Sequence, residues 1–200
     1  MKVSQAIEAR RSVKHFDPEH DMPENEFKEM MEMVMKAPTS FNIQNWRFVH
    51  VTDKDKREKI REAAWGQAQV TDASALLILC ADVKAWEKEP SRYWRDAAPE
   101  INELMVSMMG PFYEGKEWLQ RDEAMRSVGI AAQTIMLLAK EMGYDSCPMI
   151  GFDQDAVSEV INLPEDHAIG MIVTIGKPVK PANPRSGPIG YDEAIIENNF

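Results

Sequence analysis

The stretch SALLILCAD, residues 74–82, decides the fold of this chain, because it is almost continuously apolar yet far too short to cross a bilayer. Apolar runs of this length are typical of strands that are buried on both faces. A second run, IGMIVTI at residues 169–175, ends at Gly176-Lys177-Pro178 and has the same character. Residues 47–52, RFVHVT, alternate polar and apolar side chains, as a strand with one buried face does. Together these segments predict a central, covered sheet.

Helical patterns surround these strands. Pro23 and Glu24 open a helix, and Asp53 is placed to cap a charged helix that Gly66 closes. The longest pattern, at about residues 120–142, has a wide apolar surface that suits the domain core or a subunit interface. Further helices are predicted at Ser4–Arg10, Ala98–Met109 and Asp155–Ile161. The sequence therefore predicts an α+β fold in which a small mixed sheet is enclosed by helices.

The chain is predicted to form a single domain over residues 1–200, since no repeat, low-complexity tract or flexible linker divides it. Its last segment, about residues 183–200, ends in polar residues with little to pack against alone. We call this segment the C-terminal arm, and we expect it to lie across a partner subunit.

The composition is acidic, with 23 Lys and Arg against 33 Asp and Glu, a net charge of -10 and a pI near 4.9. That balance disfavours nucleic acid or an anionic membrane as a partner. Cys80 and Cys147 lie beside apolar residues and the histidines are scattered, so the sequence predicts reduced thiols and no metal site. Because no apolar signal segment begins the chain, we expect a soluble, cytoplasmic protein.

A short cationic segment stands out against this background. Arg10, Arg11, Ser12 and Lys14 follow a predicted helix and precede a turn at Asp17-Pro18. A guanidinium fork and a hydroxyl suit a phosphate monoester, because they donate several hydrogen bonds to its oxygens. Taken alone, the same run fits a solvated basic turn paired with nearby carboxylates better.

A second segment, PTSFNIQNW at residues 38–46, holds small polar side chains where a helical pattern stops. Ser40, Asn42 and Gln44 alternate, and an extended chain would direct their hydroxyl and amide groups to one side. Isoalloxazine and ribityl groups need such donors and acceptors. An ordinary helix-ending loop explains this segment equally well in isolation, so the coincidence of both segments favours a flavin site.

Four separated segments resemble the FMN-dependent nitroreductase family, in order and spacing, over nearly the whole chain. They are RRSVKHFDP at 10–18, PTSFNIQNWRF at 38–48, DAS at 72–74 and GYDSCPMIGFD at 143–153. Each segment is permissive alone, whereas their coincidence is specific. The resemblance implies a nitroreductase-like fold, bound FMN and an intertwined homodimer with its active sites at the interface.

The resemblance also implies which residues contact FMN. Arg10 would bind the phosphate, Ser12 the phosphate or ribityl chain, and Lys14 the pyrimidine edge, while Arg11 occupies a more variable position. A segment beside the flavin would offer backbone N–H to N5, and it consists of Pro148, Met149, Ile150 and Gly151. The other subunit would contribute Pro38, Thr39, Ser40, Asn42 and, nearby, Gln44.

Two departures from the family pattern affect the cofactor site. Arg185 resembles a basic residue that completes the phosphate clamp, but the usual pair of cations is reduced to one, and Lys177 or Lys180 would substitute only if the loop folds back. Gln67 and Gln69 stand where some members carry an Asn and a Lys near the flavin. Both glutamines are polar but uncharged.

The implied activity is that of an FMN-dependent NAD(P)H oxidoreductase with a ping-pong cycle, in which the flavin rather than a protein residue carries the chemistry. NADH or NADPH would pass hydride to flavin N5 and leave, and a nitroaromatic, quinone or similar flat acceptor would enter the same cavity. No G-x-G-x-x-G fingerprint follows a strand, so no separate nucleotide domain is predicted. Aromatic walls suit such acceptors, and the candidates are Phe41, Phe112, Tyr113 and Trp118, although such residues are more often core.

Three alternatives remain open at this point. The same cofactor motifs fit a relative that reduces another substrate, by dehalogenation of a phenol or by reduction of an activated alkene. They also fit a flavin-binding dimer without turnover. A small acidic interaction module without flavin is the third and most distant interpretation.

Overall fold

A computed structural model describes residues 1–200, which form a four-stranded sheet and eight helices. The strands are β1 Trp46–His50, β2 Ala75–Asp82, β3 Asp145–Met149 and β4 His167–Gly176. The helices are α1 Val3–Ala9, α2 Glu24–Val34, α3 Lys54–Ala63, α4 Gln69–Asp72, α5 Pro99–Tyr113, α6 Glu117–Glu141, α7 Gln154–Ile161 and α8 Tyr191–Ala194. Short 3₁₀ turns occur at Ser40–Asn42, Ala85–Glu87 and Pro90–Trp94. The predicted α+β class is confirmed.

The sheet has the order β1-β2-β4-β3, and each neighbouring pair is antiparallel. The expectation of a mixed sheet is corrected accordingly, since parallel pairing occurs only at the isolated bridge between Ser12 and Ser146. The connection through α3 and α4 explains the antiparallel start. It returns the chain to the end of the sheet that it left, and the Val51 N–H donates to the Leu76 carbonyl there.

The two inner strands are covered on both faces, as the apolar runs predict. Every residue of β2 is buried. One face, with Leu77, Leu79 and Val173, packs against α6, and the opposite face, with Leu76 and Ile78, packs in a cluster with residues of α3 and α7. Hydrophobic burial on both sides of β2 and β4 therefore provides the core.

Local signals in the sequence set several helix ends. The Asp53 carboxylate accepts a hydrogen bond from the Lys56 N–H at 2.9 Å, which caps α3 as predicted.

Strand β3 was not predicted, because its sequence, DSCPM, is short, begins with polar residues and contains a proline. It lies at the sheet edge, where Pro148 is tolerated since only one neighbouring strand must be paired.

The C-terminal arm lies wholly beyond the last strand, β4, and its only helix is the short α8. Its whole length is exposed, including the apolar side chains of Ile189, Tyr191, Ile195 and Ile196. Among the helices of the structure, none is both long enough and apolar enough to cross a membrane.

Gly170 tests the packing of α6 on the sheet. A Cβ at this position would lie 2.6 Å from Cγ1 of Val128, a β-branched side chain that cannot swing away easily. We expect Gly170→Ala to lower the free energy of unfolding by about 1–3 kcal/mol, measured by chemical denaturation. Val128→Ala in the same chain should recover part of that loss.

Gly110→Ala is the matched control, because a Cβ at Gly110 of α5 meets no atom within 4 Å. In a helix interior this change is expected to be neutral or stabilising by up to about 1 kcal/mol. Equal losses at both glycines would contradict the described packing of α6 on β4.

Candidate functional site

The cationic segment runs beside the edge strand β3. Ser12 forms a parallel bridge with Ser146, and the Val13 N–H donates to the Ser146 carbonyl at 3.1 Å. Val13 is buried in a small cluster, whereas Ser12 and Lys14 are exposed and Arg10 is half-buried. The alternation of an extended chain thus directs Arg10, Ser12 and Lys14 away from the Val13 cluster.

Arg185 joins Arg10 from the far end of the chain. Its guanidinium Nη2 donates to the carbonyl oxygens of Ile7 at 3.1 Å and Arg10 at 3.2 Å. Arg11 Nη1 donates to the same Arg10 carbonyl at 3.0 Å, so the guanidinium groups of Arg11 and Arg185 meet at one oxygen at the end of α1. Lys177 is used elsewhere, since its Nζ donates to the Gly143 carbonyl at 2.8 Å and lies over the ring of Tyr144.

Arg11 shares the Arg10 carbonyl with Arg185. Its Nη1 donates to the carbonyls of Glu8 and Arg10, and its side chain lines a groove that also contains Val13, Lys140 and Lys180. The structure therefore separates Arg11 from Ser12 and Lys14, with which the sequence grouped it. Lys180 shares this groove and does not join Arg185.

The turn after β3 carries unused backbone donors. The N–H groups of Ile150 and Gly151 donate to no acceptor within the chain. The carbonyl of Gly151 is held, since Gln67 Nε2 donates to it at 2.9 Å. Gln69 in turn donates from Nε2 to Gln67 Oε1 at 2.9 Å and is itself buried. Two N–H groups without an acceptor thus lie in a turn that is anchored through the Gly151 carbonyl.

This arrangement changes the roles expected of the glutamines. Gln67 was predicted to bind cofactor, yet both ends of its amide are engaged within the protein. Gln69 is 3% exposed, so its amide is out of reach of a ligand. Met149 is likewise buried, and only its backbone neighbours at Ile150 and Gly151 are available.

Trp65 also belongs to this region and was missed by the sequence analysis. Its ring lies beside Gly151, where an added Cβ would be 3.1 Å from the ring atom Cζ3. The side chain is 72% exposed. The available signal was an aromatic residue directly before Gly66, the glycine that was predicted to close this helix.

The positive charges of this region act on Cys147. Burial raises the pKa of its thiol, and the nearby charges of Lys14 and Arg10 lower that pKa in part. Burial also raises the pKa of Cys80 to about 12. Both cysteines are free and buried, as expected, and their thiols stay protonated near neutral pH.

The second predicted segment lies at the opposite edge of the sheet, before β1. It is a tight turn rather than the expected extended chain, because Phe41, Asn42 and Gln44 adopt left-handed φ values of 50°, 56° and 53°. Thr39 fixes the turn, since its Oγ1 accepts a hydrogen bond from the Gln44 N–H at 2.9 Å. Gln44 Nε2 then donates to Asn42, so two of the predicted amide groups interact with each other. Pro38 is exposed beside the turn.

Aromatic residues pack behind and beside this turn. The ring centroids of Phe41 and Phe112 are 5.4 Å apart, and Phe112 is 40% exposed. Tyr113 is 1% exposed, and its hydroxyl donates to Ser40 Oγ at 3.0 Å. Tyr113 therefore supports the turn from the core instead of lining an open wall. Trp118 is exposed but does not join this aromatic group.

Two clusters result, and the sheet separates them. We call the first the β3-edge cluster, and it consists of Arg10, Ser12, Lys14, Ile150, Gly151 and Arg185. We call the second the β1-edge cluster, and it consists of Pro38, Thr39, Ser40, Phe41, Asn42, Gln44 and Phe112. Three strand spacings of about 4.8 Å lie between the two edges, which amounts to about 14 Å. Because α6, α3 and α7 cover the inner strands, no groove across the sheet joins the clusters.

A third polar group is an ion-pair network. Asp82 is buried, and its carboxylate contacts Arg47 at 3.2 Å and Lys88 at 2.8 Å. Hydrogen bonds from Lys88 and His167 lower the pKa of Asp166 to about 2. The carboxylates are thus neutralised by cations of the chain itself, which suits a structural network at one end of the sheet.

The chain belongs to the Nitroreductase family, whose pattern matches residues 7–177. It is 54% identical over 177 residues to Protein DrgA of Synechocystis sp., an alignment that covers 88% of this chain and 84% of DrgA. It is 30% identical over 196 residues to the oxygen-insensitive NADPH nitroreductase of Helicobacter pylori, covering 92% of this chain and 91% of that protein.

The fold of this chain also matches the folds of solved structures. A protein of Exiguobacterium sibiricum, solved in complex with FMN, superposes with a TM-score of 0.90 and 24% sequence identity, covering 98% of this chain and 97% of that one. At this level of identity the match shows the common fold, and it agrees with the family membership.

Proposed function

We propose that this protein is an FMN-dependent NAD(P)H oxidoreductase that reduces nitroaromatic compounds, quinones or similar flat acceptors in a ping-pong cycle. The NADPH nitroreductase of H. pylori and the FMN-bound structure of the E. sibiricum protein support the donor and the cofactor. The residues of the chain support the cofactor independently.

The meeting of Arg10 and Arg185 carries the proposal. The guanidinium groups of Arg185 and Arg11 donate to the same oxygen, the Arg10 carbonyl, in a chain with a net charge of -10. Holding like charges close is unfavourable without an anion between or beside them. A phosphate monoester fits, since guanidinium groups bind its oxygens bidentately and the exposed Ser12 hydroxyl can add a hydrogen bond.

The remaining residues of the β3-edge cluster suit the ring system of FMN. Lys14 offers a positive charge to the pyrimidine edge, and the free N–H groups of Ile150 and Gly151 offer donors to N5. When bound, FMN supplies the redox chemistry itself, accepting hydride from NADH or NADPH and returning electrons to the acceptor. The protein has to bind, orient and shield the cofactor.

The β1-edge cluster would complete each site from a second copy of the chain. No path within one chain brings Ser40 or Asn42 to the β3 edge, whereas a dimer with two-fold symmetry forms two equivalent joined sites. The exposed apolar residues agree with this, since α5 alone exposes Ile101, Leu104, Met108 and Phe112. The C-terminal arm would cover the partner subunit with its exposed apolar side chains. Phe41 and Phe112 would then form the aromatic wall for the acceptor.

Arg10→Ala tests the phosphate contact. Removing a charge-assisted hydrogen bond costs about 1.5–3 kcal/mol, so the Kd for FMN should rise about 10- to 100-fold, measured by fluorescence titration of the apoprotein. Arg126→Ala is the matched control, because Arg126 lies outside both clusters and pairs with Asp122 and Glu123 within α6. Equal losses of affinity in the two variants would contradict the assignment of Arg10.

The activity is tested by the visible spectrum of the purified protein. We expect a yellow protein whose flavin absorbance is bleached anaerobically by NADPH or NADH and returns when a quinone or nitroaromatic compound is added. A coloured protein that neither nucleotide bleaches would support the non-catalytic flavin-binding dimer. A colourless protein that gains no thermal stability from FMN would contradict the cofactor assignment.

If bleaching occurs, a panel of acceptors separates the remaining alternatives. Higher kcat/KM for halogenated phenols or activated alkenes than for quinones and nitroaromatics would favour the related reductases over the proposed activity.

A further inference from the structure

Trp65 occupies a position that neither local conformation nor burial explains. It follows α3 with a left-handed φ of 55°, a region that bulky residues avoid at a cost of roughly 1–2 kcal/mol. Glycine or asparagine is the usual residue for this helix-ending conformation. The side chain is also 72% exposed, so little of its large apolar surface is removed from water by folding.

The contact of Trp65 with Gly151 offers a reason for the residue. The ring atoms Cζ3 and Cε3 lie 3.1 Å and 3.9 Å from the position that a Cβ on Gly151 would take. The ring edge therefore rests directly on the backbone of the turn, and this close approach requires glycine at position 151.

Other contacts tie the same turn to the end of α3. Gln67 Nε2 holds the Gly151 carbonyl at 2.9 Å, and the Asp153 N–H donates to the Ala63 carbonyl at 2.9 Å. The Phe152 side chain is buried in the core cluster on the α3 face of the sheet. Of the side chains that contact this turn, that of Trp65 is the one that stays mostly exposed.

We propose that Trp65 is a positioning residue, whose ring edge, together with the Gln67 amide, holds the free N–H groups of Ile150 and Gly151 at the flavin. This inference rests on the proposed FMN function. Strained residues persist where the surrounding structure fixes them and often mark functional sites. A small misplacement of a hydrogen-bond donor lowers the reaction rate strongly, because orientation contributes a large share of catalysis.

The test compares Trp65→Gly with Trp65→Phe in the FMN-loaded protein. In Trp65→Gly, the rate of flavin reduction at saturating NADPH should fall about tenfold, and the visible spectrum and midpoint potential of the bound flavin should shift. Trp65→Phe keeps a ring edge and should restore the rate to within about twofold of the original protein.

The stability of the apoprotein provides a readout that is independent of FMN. Glycine adopts a φ of 55° without steric strain. Trp65→Gly should therefore leave the Tm unchanged or raise it, while the rate of flavin reduction falls. A merely structural tryptophan would lower the Tm on removal. A lower Tm in Trp65→Gly would therefore overturn the proposal.

A double-mutant cycle tests the contact itself. Gly151→Ala should lower the Tm of the apoprotein when Trp65 is present and have little effect in the Trp65→Gly chain. Equal effects in both chains would overturn the contact. The double-mutant cycle gives a result even if the protein binds no FMN. Failure of the inference and failure of the proposed function are therefore distinguishable.

Two further outcomes in the FMN-loaded protein would also overturn the inference. If the rate of flavin reduction were unchanged and the KM for the acceptor were raised, Trp65 would contact the acceptor instead of positioning the turn at Gly151. Dissociation of the dimer in Trp65→Gly would make the residue part of the subunit interface.

Discussion

Burial of β2 and β4 on both faces is the constraint on which the rest of the structure depends. These strands are apolar throughout their centres, with α6 on one side and α3 and α7 on the other. Polar residues that bind a ligand are thereby confined to the two edges of the sheet and to the turns that flank them. The separation of the β1-edge and β3-edge clusters follows directly, and it is the reason for our proposal that a second chain joins them.

The sequence predicts those parts of the fold that depend on local patterns. The apolar runs of β2 and β4, the Asp53 cap and the long α6 are all confirmed. Strand β3 was missed because its pairing with β4, rather than its own side chains, makes it a strand. The turn at Ser40–Asn42 differs from the expected extended chain, since hydrogen bonds to Thr39 and Tyr113 hold it in a left-handed conformation.

The candidate site was predictable in residue type but less so in role. Arg10 and Arg185 are distant in sequence, and only the tertiary structure brings them together. Gln67 was expected to bind the cofactor, but its amide anchors the Gly151 turn, a role that depends on the packing of α3 against the end of β3. Tyr113 is a core residue because its hydroxyl finds a partner in Ser40. Trp65 draws attention only through its backbone conformation and exposure, neither of which a sequence displays.

Sharing of each site between two chains is tested most directly with a mixed dimer. One chain would carry Arg10→Ala and the other Ser40→Tyr, with different affinity tags, and FMN bound per dimer would be measured. We expect little FMN in either variant homodimer and one FMN per mixed dimer, because one of the two sites in the mixed dimer combines intact clusters from both chains. If the mixed dimer bound no more FMN than the variant homodimers, each site would lie within one chain and the proposed sharing would be wrong.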